Sequence, residues 1–295
     1  MTGRIFLTGA AGRLGAAVVE ACAGCEVVAH TRATLDVTDP QAVRRAVADA
    51  APDVVVNCAA FNDVDGAEDR PTDALAVNAF AVRSLARAAE ASSATFVHFS
   101  TDFVFDGTSQ RPYGEDDETS PRSTYAATKL LGEWFALDSP RGYVLRVESL
   151  FGASRGWRGR QGSLDAIIDG LERGVEVRVF TDRVVSPSYV HDVVGAVGYL
   201  VGANAPPGVY HCVNSGQATW YELAEESARL LGVTPRLQPI TMDTAALKAP
   251  RPRFCALANG KLADAGFAMP TWNDSLRRWL TVRDASHGKM DGSHG

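Results

Sequence analysis

The chain has 295 residues, 46% hydrophobic and 22% charged, with a formal net charge of −6 at pH 7. That balance suits one large or two modest globular domains and speaks against a general nucleic-acid-binding role. No apolar run approaches the roughly 20 residues that span a bilayer, and no basic leader precedes the first strand; a cytoplasmic protein without a membrane partner is expected.

Strands and helices alternate from the start, the pattern of a parallel sheet covered on both faces. Strand Arg4–Thr8 leads to helix Leu14–Ala23 and strand Glu26–His30. Helix Pro40–Ala50 starts behind Asp39, a good N-cap with proline at N1. Strand Asp53–Asn57, a long helix Thr72–Ala91, strand Thr95–Ser100, helix Ser123–Leu137 and strand Tyr143–Leu150 follow. The expected fold class is α/β, a Rossmann-type doubly wound parallel sheet over residues 1–150. Beyond it the pattern loosens. A glycine- and arginine-rich loop, Gly152–Gly162, precedes helix Leu164–Arg173, strand Val175–Phe180, helix His191–Val201, strand Val209–Val213 and helix Thr219–Leu231. Residues 151–283 are expected to form mainly a smaller substrate-binding subdomain, with a return to the sheet near 175–215. A short helix lies at Leu276–Leu280, and the polar, glycine-rich 284–295 is expected to be a disordered tail.

Gly9-x-x-Gly12-x-x-Gly15 sits between the first strand and helix, where glycines permit a tight turn and close approach to a pyrophosphate. Arg13 and Leu14 lie within it. The second strand ends in His30-Thr31-Arg32 with no acid before Asp36. An acid there would favour NAD; Arg32, with Arg13 as a second candidate, points to NADPH, leaving NADH as the alternative. Asp36 is placed near the adenine. Small residues Ala59 and Ala60, after Asn57-Cys58, let a cofactor pass the sheet edge. Ser100-Thr101-Asp102 ends a strand, and Thr101 can set its hydroxyl beside Tyr125. Tyr125 and Lys129, at i and i+4, share a helix face. There an ammonium would lower the phenol's pKa towards that of a working proton donor. The five cysteines, with one Cys22-x-x-Cys25 pair, give no disulfide framework, and no spacing suggests a metal site.

NCAAFNDVDGAED, STDFVFDG, SPRSTYAATKLLGE and the late RPRFCALANGKL closely resemble the dTDP-4-dehydrorhamnose reductase family of extended short-chain dehydrogenase/reductases. The resemblance covers about residues 3–281. It implies a hydride transfer to the C4 keto group of a dTDP-6-deoxyhexulose, with Tyr125 as proton donor and Lys129 orienting the nicotinamide ribose. It also implies that Thr101 tunes the tyrosine, that Tyr125, Lys129 and Ser100 border the cofactor, and that Asp102 lies against the sugar.

Where family members usually read R-T-S-W-V-Y, this chain reads Arg146-Val147-Glu148-Ser149-Leu150-Phe151, so Ser149 stands in the tryptophan's place. Arg183-Val184-Val185-Ser186-Pro187-Ser188 replaces the common D-Q-x-x-x-P-T. The chemistry is expected intact and the sugar pocket altered. Arg155, Arg158, Arg160, Arg251 and Arg253 are candidates for a substrate diphosphate, with Arg253 chosen, and Trp157 for stacking or for anchoring a lid. The expected activity is an NADPH-dependent reduction of a nucleotide-activated 4-keto-6-deoxysugar; a homodimer is one assembly left open. Two alternatives stand beside it: a non-catalytic NADP-binding regulatory subunit resembling the methionine adenosyltransferase β subunit, and a nucleotide-sugar epimerase of the same superfamily.

Overall fold

The computed structural model of the chain describes residues 3–154, 157, 159 and 161–287. Its centre is a six-stranded parallel sheet. The strands run, edge to edge, Gly208–His211, Gly142–Val147, Thr95–Thr101, Val54–Asn57, Arg4–Thr8 and Glu26–His30. Val54–Asn57 is buried along its whole length, which is why it reads as an unbroken apolar run rather than an alternating one. Helices Arg13–Ala21 and Val190–Gly202 cover one face, meeting Ile5, Leu7, Val56 and Leu145 in a shared core. Helices Pro40–Ala50 and Ala81–Ala91 cover the other face, against Phe6, Val55, Phe96 and Val144. The strand order reverses between Arg4–Thr8 and Val54–Asn57, the place where open α/β sheets bind ligands at their carboxyl edge. There the Thr8 hydroxyl donates to Asn57 Oδ1 at 2.7 Å.

The C-terminal elements build a second apolar core. Helices Ser163–Glu172, Trp220–Leu231 and Trp272–His287 contribute Ile168, Leu223 and Leu276 to it. Strand Val177–Phe180 pairs in parallel with Leu237–Ile240 beside them. So of the span 175–215, the strand that rejoins the central sheet is Gly208–His211, and the Val177–Phe180 strand belongs to the second core. Arg13 ties the cores together: its guanidinium pairs with Asp165 and donates to the Gly152 carbonyl at 2.8 Å.

Three elements differ most from their expected bounds. The helix expected over 72–91 is a succession: Val64–Asp69, Pro71–Leu75, a π-helical turn Ala76–Phe80 and Ala81–Ala91. Asn78, in the π turn, accepts from Phe61 N–H at 2.8 Å and donates to the Phe61 carbonyl and to Thr128 Oγ1. The carboxamide thus binds the loop after Asn57 to the Tyr125 helix. The strand expected over 143–150 stops at Val147; Ser149 turns left-handed at φ 44°, and Leu150–Phe151 pairs instead with Ser188–Tyr189. The last helix is longer than expected and continues through His287, four residues into the segment expected as a tail; the rest of that segment lies outside the described residues.

Between the Tyr125 helix and the sheet lies a buried ion pair. Arg146 donates to Glu133 through Nε at 2.9 Å and Nη2 at 2.7 Å, and Ser100 Oγ donates to the same carboxylate. Both charged side chains are under 5% exposed. Glu133→Ala would leave the guanidinium buried without its anion, a loss of about 3–5 kcal/mol. Urea unfolding checks this; a loss below about 1 kcal/mol, the range of exposed pairs, would show that water reaches Arg146.

Candidate active site

A cleft of about 640 Å³ opens at the carboxyl edge of the sheet, between the two cores. The glycine turn forms one wall. Gly9 has φ +71° and lies so near the Cys58–Ala59 peptide that a Cβ would fall 2.5 Å from Cys58 C; at Gly15 one would fall 2.2 Å from Gly9 O. Gly12 borders the cleft itself, with only Gly9 O, at 3.2 Å, near its missing Cβ. The helix that starts at Arg13 has no side-chain cap and no acid in its first turn, so its N–H groups stay available to an anion. This turn fits a dinucleotide's pyrophosphate. Leu14, Gly15, Ala59 and Ala60 also line the cleft, although Leu14 packs mainly into the core.

Thr101, Asp102, Tyr125 and Lys129 converge on the opposite wall, all less than a tenth exposed. Thr101 Oγ1 donates to Asp102 Oδ1 at 2.9 Å, and it accepts from Phe103 N–H. Burial holds the Tyr125 phenol well above its ordinary pKa; the Asp102 carboxylate adds to this, and a hydrogen bond with Thr101 opposes it. The tyrosine and threonine hydroxyls therefore meet, as the sequence suggests.

The lysine is held by the neighbouring strand. Lys129 Nζ donates to the Phe99 carbonyl at 2.6 Å and lies 3.4 Å from His98 Nε2. Burial lowers the Lys129 pKa to about 8, partly offset by Glu133 and Cys58.

The other expected site residues divide between the cleft and the surface. Ser100 borders the cleft, but its hydroxyl is committed to Glu133. Arg32 is exposed, two residues past a strand end whose His30 carbonyl accepts from Ala10 N–H of the glycine turn. Asp36 is exposed and closes its own turn by accepting from the Thr38 hydroxyl and N–H, at 2.7 and 2.9 Å. Those bonds hold its carboxyl below the usual range. Arg253 is outside the cleft, paired with Asp182 and Asp243 on the surface; Arg251, in a two-point pair with Asp65, is the arginine on the wall. Ser149 lines the cleft as expected. Trp157 does not fill the space beside it: the indole donates to the Ala11 carbonyl at 3.1 Å and stacks with Arg13, whose Cζ is 4.8 Å from the ring centroid. Arg155, Arg158 and Arg160 lie outside the described residues.

Spacing along the chain gave no sign of Glu148, Arg183 and Cys255, which fold together against Asp102. Glu148, Asp102 and Cys255 bring their ligand-type atoms within 4.8 Å of one another, with Arg183 Nη2 3.9 Å from Cys255 Sγ. That guanidinium supplies the positive charge such a group of acids requires. Trp220 also lines the cleft and supplies an aromatic wall that the motifs did not reveal.

The family model for the RmlD substrate binding domain matches residues 3–284. The dTDP-4-dehydrorhamnose reductase of Mycolicibacterium smegmatis is 38% identical over 285 residues, covering 94% of this chain and 85% of the relative. Among solved structures, the dTDP-4-dehydrorhamnose reductase of Clostridium acetobutylicum superposes with a TM-score of 0.89 at 31% identity, over 95% of this chain and 99% of that one. The Bacillus anthracis dTDP-4-dehydrorhamnose reductase, in complex with NADP, also gives 0.89, at 27% identity over 96% and 100% of the two chains.

The lowered lysine has a consequence for stability. Below pH 8 the amine is protonated in both states, and the folded protein bears the whole penalty of burying it. Between about 8 and the ordinary 10.5 the unfolded chain binds more protons, so this group makes stability rise with pH. In an NMR titration the Lys129 ε-carbon should move with a midpoint near pH 8. A midpoint near the ordinary value of about 10.4 would show a hydrated amine.

Proposed function

Because the chain belongs to the dTDP-4-dehydrorhamnose reductase family, we propose that it is an NADPH-dependent reductase of a nucleotide-activated 4-keto-6-deoxysugar. The observation that carries the reading is the meeting of the Thr101 and Tyr125 hydroxyls in a cleft whose other wall is the glycine turn. NADPH supplies the hydride when bound. The residues that would hold it are Gly12 and the open helix N-terminus for the pyrophosphate, and Ala59 and Ala60 at the sheet edge. Arg32, beside the glycine turn, is the candidate for the 2′-phosphate.

The protein's own part is to polarise the ketone and deliver a proton. The Tyr125 hydroxyl, donating to the carbonyl oxygen, draws electron density towards it and stabilises the charge that develops there, while Thr101, its own proton given to Asp102, borders the same oxygen. Burial keeps the Tyr125 phenol protonated in the resting site, the form a donor needs. As the carbonyl oxygen becomes an alkoxide, far more basic than a phenolate, the phenol's proton passes to it. Lys129, buried on the same wall one helical turn on, is the residue that would hold the nicotinamide ribose. The same proposal keeps the cytoplasmic location and the homodimer; no helix among the described residues is long and apolar enough to cross a membrane.

The deciding experiment is NADPH oxidation, followed by the absorbance of the reduced nicotinamide, against a panel of dTDP- and other nucleotide-linked 4-keto-6-deoxysugars. Absence of turnover on every member would reject the reductase reading. Tyr125→Phe should retain NADPH binding and lose on the order of 10²–10⁴-fold in kcat; a near wild-type rate would remove Tyr125 from the mechanism. Arg32→Ala should weaken NADPH much more than NADH, since the guanidinium pairs only with the 2′-phosphate. Equal losses in calorimetry, or a wild type that already prefers NADH, would count against that role.

A further inference from the structure

We propose that His98 is a positioning residue for Lys129: a hydrogen-bond chain of fixed direction, starting at the Ala59 N–H, keeps the imidazole proton on Nε2 and aims it at the lysine nitrogen. The inference deepens the reductase reading and rests on it only for the part Lys129 plays towards the cofactor.

The direction follows from one group that can only donate. The Ala59 N–H bonds Asn57 Oδ1 at 3.1 Å, and Thr8 Oγ1 donates to the same oxygen at 2.7 Å. A backbone N–H offers no lone pair, so the amide oxygen must face it and the amide nitrogen must point the other way. Asn57 Nδ2 lies 3.1 Å from His98 Nδ1. An amide nitrogen also only donates, so Nδ1 is the acceptor and bears no proton. His98 is 1% exposed; burial, with the Lys129 charge adding to it, holds the imidazole well below its ordinary pKa. A neutral imidazole carries one proton, which therefore sits on Nε2, 3.4 Å from Lys129 Nζ.

The lysine receives this N–H on a nitrogen that already donates to the Phe99 carbonyl at 2.6 Å. An uncharged amine has a lone pair for it; an ammonium has only N–H bonds to set against it. Of the titratable groups around Nζ, Glu133 and Cys58 favour the ammonium, and Glu133 is already paired with Arg146. Tyr125, one turn earlier on the helix, keeps its phenol protonated and brings no charge. Burial opposes the ammonium, and the His98 N–H acts in the same direction. The cleft edge and the lysine are thereby linked, since Ala59, whose N–H starts the chain, lines the cleft together with Lys129. An ammonium offers a ribose oxygen more donors than an amine does. His98 thus sets the pH above which the lysine holds the ribose less firmly.

The first test uses the protein alone. Nitrogen NMR of the chain with isotope-labelled histidine should show His98 protonated at Nε2 and bare at Nδ1 near neutral pH; a proton on Nδ1 overturns the relay. His98→Asn keeps an oxygen for Asn57 Nδ2 but is too short to reach the lysine, so the Lys129 ε-carbon midpoint should rise by about half a pH unit or more. His98→Gln, whose amide N–H reaches the place of Nε2, should keep the midpoint near the wild-type value. Loss of a merely space-filling ring would move both variants alike. If His98→Asn does not fold, Asn57→Asp is the second variant. Its carboxylate still accepts from Ala59 and Thr8 but draws the imidazole proton to Nδ1, and the Lys129 midpoint should rise. An unchanged midpoint in His98→Asn or Asn57→Asp overturns the proposal, as does an equal rise in His98→Gln. Calorimetry with NADPH at a series of pH values then tests the cofactor's share. The pH at which affinity falls should follow the NMR midpoint in wild type and His98→Asn; a fall at the same pH in both overturns the link to the ribose. If NADPH does not bind at all, the reductase reading fails, and the NMR measurements decide the relay alone.

Discussion

The buried Lys129 amine is the constraint around which the rest of the site is arranged. It is 3% exposed, and its one short bond is to a backbone carbonyl. Desolvating an ammonium is costly unless polar groups replace the water. The replacements arrive along a line of side chains at the switch point of the sheet. Thr8 and the Ala59 N–H both donate to Asn57 Oδ1, which fixes the amide so that Nδ2 donates to His98 Nδ1. Burial keeps the imidazole neutral. Its proton then belongs on Nε2, the nitrogen that faces Lys129. An N–H aimed at an amine favours the amine's uncharged form, in the same direction as its burial. The lysine is consequently poised between its two forms, where small changes in the cleft decide which it takes.

That arrangement requires the strands to hold their carboxyl ends to a fraction of an ångström, and the ion pair beneath them accounts for it. Glu133 lies one helical turn beyond Lys129 and is locked to Arg146 on the neighbouring strand and to Ser100 on the next. The helix carrying Tyr125 is thereby pinned to two strands at once. On its other side Gly132 lets the backbone of Asn78 approach, since a Cβ there would fall 2.2 Å from Asn78 O. Asn78 in turn holds the loop after Asn57 through Phe61. The π turn that frees this carboxamide is a local loss of helix regularity with a positional purpose.

What was legible in the sequence is what is local. Glycines at 9, 12 and 15, a Tyr/Lys pair one turn apart and a strand ending in Ser-Thr-Asp each act through neighbours in the chain, so type and spacing sufficed. The alternation of strands and helices revealed the sheet for the same reason. What the sequence leaves open is non-local or turns on a side chain's direction. Asp36 closes its own turn by accepting from Thr38 through one carboxylate oxygen, which residue type alone does not reveal. Arg251 and Arg253 are indistinguishable as letters; the backbone between them sends one to the cleft and the other to surface acids. Lys129 shares a helix face with Tyr125, yet its long chain reaches a carbonyl on the strand. Glu148, Arg183 and Cys255 stand 35 residues or more apart, and no spacing rule joins them.

Those three residues also explain why the altered motifs belong together. A glutamate buried alone beside Asp102 would set two carboxylates against each other, and an arginine buried alone would lack an anion. Together they balance: one guanidinium, one carboxylate and one carboxyl that keeps its proton. The strand break at Ser149 makes room for the arrangement, because it frees Glu148 from the ladder and lets Ser186 N–H bond its side chain while Ser188 Oγ takes its N–H. The balance is electrical only. Buried polar atoms remain without partners, and an unmet hydrogen bond in a protein interior costs about 1–3 kcal/mol. The departure from the family pattern is thus one compact cluster beside Asp102, while Thr101, Tyr125 and Lys129 of the motifs keep their places on the cleft wall.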